Sequence, residues 1–152
     1  GFPMSPFELL GLVGPGVALH VSETLNKNLG PRYKISPTMQ AMVKAGIRTF
    51  YIKDDKGGLI ANPEAVELIV SGDKSSTAEQ VRSRALTALA EEARMMLDEG
   101  VVATPAEIDL CMLLGAGWPM HLGGILPYLD REGISEAVSG KRFHQPGIAS
   151  LP

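Results

Sequence analysis

The chain has 152 residues, 45% of them apolar and 20% charged, which suffices for one globular core or two small repeats sharing one, but not for two large independent domains. Fourteen Lys and Arg against seventeen Asp and Glu leave a formal charge of −3, so there is no basic excess to neutralise a phosphate backbone and nucleic acid is excluded as a first partner. One cysteine, Cys111, rules out an internal disulfide framework and fits a reducing compartment.

In chain order, Ser5-Pro6-Phe7-Glu8 opens the first element. It places a capping hydroxyl, a proline at the first helical position and a carboxylate three residues after the cap, predicting a helix over 6–13. A second helix is predicted over 16–29, closed by Gly30, and Ser36-Pro37 opens a third over 37–45, closed by Gly46. Thr49-Phe50-Tyr51-Ile52-Lys53 is strand-like, and the Asp54–Gly58 turn leads to a short apolar return at Leu59-Ile60, at most a small hairpin near 49–60. Asn62-Pro63-Glu64 starts a helix over 63–70. Ser76-Thr77-Ala78-Glu79 reads as the capping box of the longest helix, 77–99, with Val81, Ala85, Leu89, Ala93, Met96 and Leu97 as its apolar stripe and Glu79, Arg82, Glu91 and Arg94 off it. Gly100 closes that helix. Thr104-Pro105-Ala106-Glu107 repeats the Ser5 arrangement and opens 105–114, and helices over 122–132 and 134–139 follow, separated by Gly133. The seventeen Gly and eleven Pro thus frame helices rather than break them. The fold class is all-α.

No apolar run reaches the roughly 20 residues of a membrane-spanning helix. The start has neither the basic nor the apolar region of a secretory signal, and Ser150-Leu151-Pro152 is not a peroxisomal Ser-Lys-Leu. A cytoplasmic protein is the expectation.

One internal echo stands out. Gly1-Phe2-Pro3-Met4 is matched 116 residues later by Gly117-Trp118-Pro119-Met120, and at the same offset Leu9-Leu10 is matched by Ile125-Leu126. Two Gly-aromatic-Pro-Met junctions, each leading into a short apolar helix, point to duplication. The second copy is preceded by the 77–99 and 105–114 helices, whereas nothing precedes the first. We therefore expect tandem helical repeats: 1–75, a first repeat truncated at its start with a connecting hairpin and helix, and 76–152, a complete second repeat with a C-terminal tail. A truncated repeat leaves apolar surface to be covered, so self-association is expected.

The residues Leu89–Gly100, Ala103-Thr104-Pro105-Ala106-Glu107-Ile108-Asp109, Gly115-Ala116-Gly117-Trp118-Pro119-Met120, Gly123-Gly124 and Asp130-Arg131-Glu132-Gly133 together resemble the C-terminal helical domain of the NAD-dependent 3-hydroxyacyl-CoA dehydrogenases. Gly1–Leu10 with Val13-Gly14 resembles the same signature in a preceding repeat. Two repeats in one chain are the arrangement of multifunctional fatty-acid β-oxidation proteins, which carry an enoyl-CoA hydratase region ahead of the dehydrogenase. The resemblance implies a parent enzyme that oxidises 3-hydroxyacyl-CoA to 3-ketoacyl-CoA with NAD. This portion would close the substrate cleft and mediate repeat or subunit packing, with acyl-CoA and the remaining domains of the parent as partners.

Two departures bear on that implication. The family's Gly- and Lys-rich segment ending Gly-Phe-Tyr is replaced here by the shorter Ala45-Gly46-Ile47-Arg48-Thr49-Phe50-Tyr51, so the resemblance assigns no CoA contact to 45–51. The nicotinamide domain's Gly-x-Gly-x-x-Gly turn is not matched either: Gly11-Leu12-Val13-Gly14-Pro15-Gly16 has the wrong spacing, and Gly115-Ala116-Gly117 lacks the third glycine and follows a helix. The family's catalytic His–Glu pair and substrate-contacting Asn have no counterpart in the sequence. No residue is assigned a catalytic, cofactor-binding or metal role, NAD is expected to be bound by a domain outside this chain, and the chain alone is expected to be inactive.

The remaining reactive side chains read as structural. His20, one turn from Glu23, could be a carboxylate-oriented base but is better read as an exposed helix histidine with a local ion pair. His121 takes the place of Ser5 in the second copy and reads as a cap or loop residue, and His144 lies in a tail expected to pack loosely. Histidines at 20, 121 and 144 have no metal-ligand spacing. Cys111, between Leu110 and Met112, reads as a buried small hydrophobe, and Met95, Met96, Met112 and Met120 as core filling rather than a pliable acyl surface. Trp118 is expected to anchor the turn where the repeats meet. Glu91-Glu92 and Asp54-Asp55-Lys56 read as solvated surface.

Overall fold

The computed structural model describes residues 3–148. In order it contains α1 (Pro6–Val13), α2 (Pro15–Leu29), α3 (Pro37–Ala45), β1 (Tyr51–Lys53), β2 (Leu59–Ala61), α4 (Pro63–Glu67), α5 (Ala78–Asp98), α6 (Pro105–Gly115), a 3-10 turn (Met120–Leu122), α7 (Ile125–Arg131) and α8 (Ile134–Ser139). The chain is an all-α protein with one small antiparallel hairpin, in which Ile52 pairs with Ile60.

Most helix starts fall where the capping chemistry puts them. The Ser5 hydroxyl accepts from the Glu8 amide at 3.2 Å while the Ser5 amide donates to the Glu8 carboxylate at 2.8 Å, a complete capping box. Ser36 and Asn62 cap α3 and α4 through their side chains. Gly30, Gly46, Gly100 and Gly133 all have positive φ, as helix-closing residues require.

Four expectations need correction. The box of α5 is formed by Thr77 and Gln80, one residue later than the Ser76–Glu79 reading, which leaves the Glu79 carboxylate free to pair with Arg82 at 3.4 Å. Thr104, at φ −140° rather than the −72° of Ser5, makes no side-chain cap bond, and the Glu107 carboxylate accepts from Ala103 N instead. The helix predicted over 63–70 stops at Glu67, and beyond it the Val70 amide donates to the Thr38 hydroxyl at 3.0 Å. The segment read as one helix over 122–132 is a 3-10 turn followed by α7, broken at Gly123 with φ 75°.

The described residues divide into two compact units, one from Met4 to Asp73 and one from Lys74 onward that includes Pro3; Gly1 and Phe2 of the first Gly-aromatic-Pro-Met junction lie outside the described residues. In the first, α1 and α2 meet at Gly14, and Phe7 of α1 packs its ring 4.9 Å from Phe50. Gly11 is required there, because a Cβ would sit 2.8 Å from the Thr49 hydroxyl. Asn62 ties the hairpin to α4: it caps α4, its side-chain amide donates to Thr49 O, and its backbone amide donates to Phe50 O. The Asp54 carboxylate closes the turn by accepting from the Lys56 and Gly58 amides. Met42 and Ala65 are the fully enclosed apolar side chains of this unit among the described residues.

The second unit carries the larger core, built from Leu86, Ala90 and Ala93 of α5, Ile108 of α6, Trp118, Ile125, Leu126 and Leu129 of α7, and Phe143. The inward face of α5 is not the predicted stripe. Val81 is 55% exposed, and Ala85 and Leu89 are also outward, whereas Leu86, Ala90 and Ala93 are buried. The reason is geometric: a row of pure four-residue steps drifts about 40° around a 3.6-residue helix at each step. It begins on the outer face at Val81 and reaches the core only at Ala93 and Leu97.

The two bonds to Ser5 hold the Glu8 carboxyl below the usual carboxylate range. A carboxylate whose value is lowered on folding stabilises the fold fully above its unfolded value and loses that contribution as pH falls through the folded one. Protection of the Ser5 amide from hydrogen exchange, corrected for intrinsic rates, should therefore fall on acidification in the native chain. In Glu8→Gln, which keeps an acceptor without a titrating charge, that acid-dependent loss should disappear; an unchanged response would exclude Glu8 as its source.

Candidate functional site

The most connected polar cluster lies in the second unit and is organised by two buried aspartates. Asp109, on the inward side of α6, is 8% exposed. Its Oδ1 accepts from the Leu126 amide at 2.8 Å in the first turn of α7, and its Oδ2 lies 2.7 Å from His144 Nε2. A carboxylate at that position satisfies an otherwise orphaned helix amide and complements the helix dipole. Gly124 makes the approach possible, since a Cβ there would fall 2.3 Å from Asp109 Cγ and 2.8 Å from its Cβ.

Asp130, near the end of α7 and 2% exposed, accepts from the Phe143 and His144 amides, each at 2.9 Å. Phe143 is buried beneath the Arg94 guanidinium, whose carbon lies 4.3 Å above the ring centre. Arg142 donates from Nη1 to Asp130 O, and Arg94 from Nη2 to Arg142 O. On the flank, Trp118 packs 5.3 Å from Tyr128, whose hydroxyl is bonded by Arg82, and Arg82 also reaches the Glu132 carboxylate at 3.2 Å. These contacts raise the Arg82 guanidinium above its ordinary value, the Glu132 bond contributing most.

An imidazole held by a carboxylate is also how an enzyme orients a general base. Here both Asp109 oxygens and both Asp130 oxygens are spent on groups of the same unit, so the cluster is a clamp that fastens residues 142–144 to α6 and α7. The expectation of a loosely packed tail is wrong for His144. Its partners lie 35 and 14 residues away, too distant for local spacing to reveal.

The other residues singled out fall apart from this cluster. His20 is exposed on α2 and, among the described residues, makes no ion pair with Glu23; its carbonyl accepts from the Thr24 hydroxyl. His121 is exposed in the 3-10 turn. Cys111 is exposed rather than buried, because Ile108 and Asp109 take the inner side of α6 and turn Cys111 outward beside Leu110. Of the four methionines, Met120 is 74% exposed and fills no core. Neither glycine cluster has a nucleotide-loop context: Gly11–Gly16 joins α1 to α2, and Gly115–Gly117 ends α6.

Removing one partner of a buried charged bond leaves the other unpaired, at a cost of about 3 kcal/mol. Asp109→Ala should lower the stability of the Lys74–Pro152 unit by about that amount. Gly124→Ala should cost about 1–3 kcal/mol by overpacking. His20→Ala and His121→Ala should stay within about 0.5 kcal/mol of the native chain. Denaturant titration followed by fluorescence of Trp118, the single tryptophan, reads this unit directly.

The comparisons with known proteins bear on both units. The family model described as 3-hydroxyacyl-CoA dehydrogenase, C-terminal domain matches residues 1–49 and 81–145, and the second segment contains Asp109, Gly124, Asp130 and His144. A fatty acid oxidation complex subunit alpha from Acinetobacter baylyi is 32% identical over 172 residues, covering 97% of this chain and 24% of that protein. Proteins of the same name from Acinetobacter baumannii (strain SDF) and Idiomarina loihiensis are 30% and 29% identical, covering 96% and 91% of this chain. The chain spans about a quarter of the length of these relatives. With about three quarters of its residues matched by the family model, the chain belongs to the 3-hydroxyacyl-CoA dehydrogenase C-terminal domain family.

Proposed function

We propose that the chain is the C-terminal helical part of an enzyme that oxidises the 3-hydroxyl of an acyl-CoA to a ketone, passing hydride to NAD, within a multifunctional fatty-acid oxidation protein that also carries an enoyl-CoA hydratase region. The observation that carries this reading is the family match over 1–49 and 81–145, supported by fatty acid oxidation alpha subunits as relatives along nearly the whole chain. In this reading residues 1–75 and 76–152 are tandem repeats, the first truncated at its start. Each holds a pair of helices joined at a positive-φ glycine, Gly14 between α1 and α2 and Gly133 between α7 and α8.

Neither glycine cluster fits a dinucleotide loop. A phosphate-cradling glycine turn follows a strand and opens a helix, and both glycine clusters here follow helices. NAD and the base that takes the hydroxyl proton are therefore assigned to a part of the parent outside this chain. The helical units close the acyl-CoA cleft and provide packing between repeats or subunits.

A second reading, a helical self-association module without enzymatic activity, is favoured by one feature: Phe7, Leu9, Leu12, Val17 and Val21 on α1 and α2 are each close to half exposed or more. The readings separate in one experiment. Purified 1–152 mixed with NAD and 3-hydroxybutyryl-CoA should form no NADH, while the longer product of the same reading frame should form it and lose the activity when residues 76–152 are deleted. Turnover by 1–152 alone would overturn the division of labour, and a longer product inactive on every 3-hydroxyacyl-CoA tried would favour the module.

A further inference from the structure

The core explains one face of α5 and leaves the opposite face without a role. Val81, Arg84, Ala88 and Glu91 follow one another at steps of three and four residues, so they line one side of the helix, about 160° to 200° from the Leu86–Ala90–Ala93 side for the central pair. All four are exposed, as is Ala85 beside them. Ala88 near the middle of this face, with Ala85 flanking it, presents nothing larger than a methyl group, so the Arg84 side chains must lie along the seam as a second helix packs within the usual 8–10 Å range.

The charges on this face are arranged symmetrically. Arg84 and Glu91 lie about 5 Å along the axis on either side of a point between Thr87 and Ala88. Among the described residues neither makes an ion pair, in contrast to Arg82 on the flank, which is engaged by Glu79 and Glu132. A two-fold axis through that point sets Arg84 of each copy against Glu91 of the other, twice over. A parallel pairing in register would set like charges against each other.

We propose that the outer face of α5 is a self-complementary docking surface whose occupant is α5 of a second copy of this chain, packed antiparallel about a two-fold axis near Ala88. Small side chains at the centre set the distance, Val81 extends the apolar strip, and the two Arg84–Glu91 pairs fix direction and register. This is the isologous geometry of a closed dimer, in which complementary charge pairs act more through specificity than through strength. The proposal does not depend on the enzymatic reading.

The test uses full-length 1–152, Arg84→Glu, Glu91→Arg and an equimolar mixture of the two variants, followed by sedimentation equilibrium. Circular dichroism checks that these exposed substitutions leave the helices intact. The native chain should dimerise, and each variant alone, now carrying two like-charge contacts, should self-associate roughly ten-fold or more weakly. In the mixture every Arg again faces a Glu, so a heterodimer should return at close to native strength. A native chain that stays monomeric, variants that associate as the native chain does, or a mixture no stronger than its components would each overturn the proposal.

Discussion

One buried carboxylate ties three segments of the second helical unit to one another. Asp109 spends one oxygen on the first turn of α7 and the other on His144, so the entry of one helix and the seating of the tail depend on the same buried group. Its place is fixed from the far side by Gly124, the residue type that lets α6 and the start of α7 come this close. Asp130 completes the arrangement at the other end of α7, and between the two aspartates the Arg142–His144 backbone is pinned with Phe143 driven into the core. Each aspartate oxygen in this cluster accepts a bond, whereas the buried Nε atoms of Arg94 and Arg142 find no partner among the described residues, so the two carboxylates and not the arginines set its geometry.

In the proposed reading the chemistry lies outside this chain, and this construction limits what the helical part would contribute. Both aspartates face inward, and each of their oxygens accepts a bond from a group of their own unit. The unit offers surfaces instead. α5 shows the principle, with one face committed to the core and the other exposed with balanced charges. A rigid, clamped support behind such a surface suits a role in closing a cleft or joining subunits.

Capping chemistry was the most legible part of the sequence, because it is local. Ser5 with Glu8, Ser36 with Pro37, and Asn62 with Pro63 place α1, α3 and α4 at the residues where the structure starts them. Where two adjacent residues could cap, as Ser76 and Thr77 could, the sequence alone does not choose, and the added Glu79–Arg82 contact accompanies the later start. The buried face of α5 was misread because its apolar residues occupy two sides and the four-residue row connects them. The Asp109–His144–Asp130 cluster was illegible for a different reason. Its members are a helix-face aspartate, a tail histidine and a second aspartate whose relation exists only once α6, α7 and the tail are packed. The signal that pointed nearest was Gly123-Gly124, which read as part of a family signature and proved to be the space Asp109 needs. Family membership, by contrast, was legible from the Gly-Trp-Pro-Met junction and the residues around it.

The central claim is that Asp109 couples the start of α7 to the tail, and residue-resolved hydrogen exchange tests it most directly. In the native chain the amides of Leu126, Phe143 and His144 should be protected together. In Asp109→Ala all three should lose protection in concert, although Asp130, which accepts from two of them, is untouched. Loss at Leu126 with Phe143 and His144 still protected would contradict the coupling and reduce Asp109 to a helix cap.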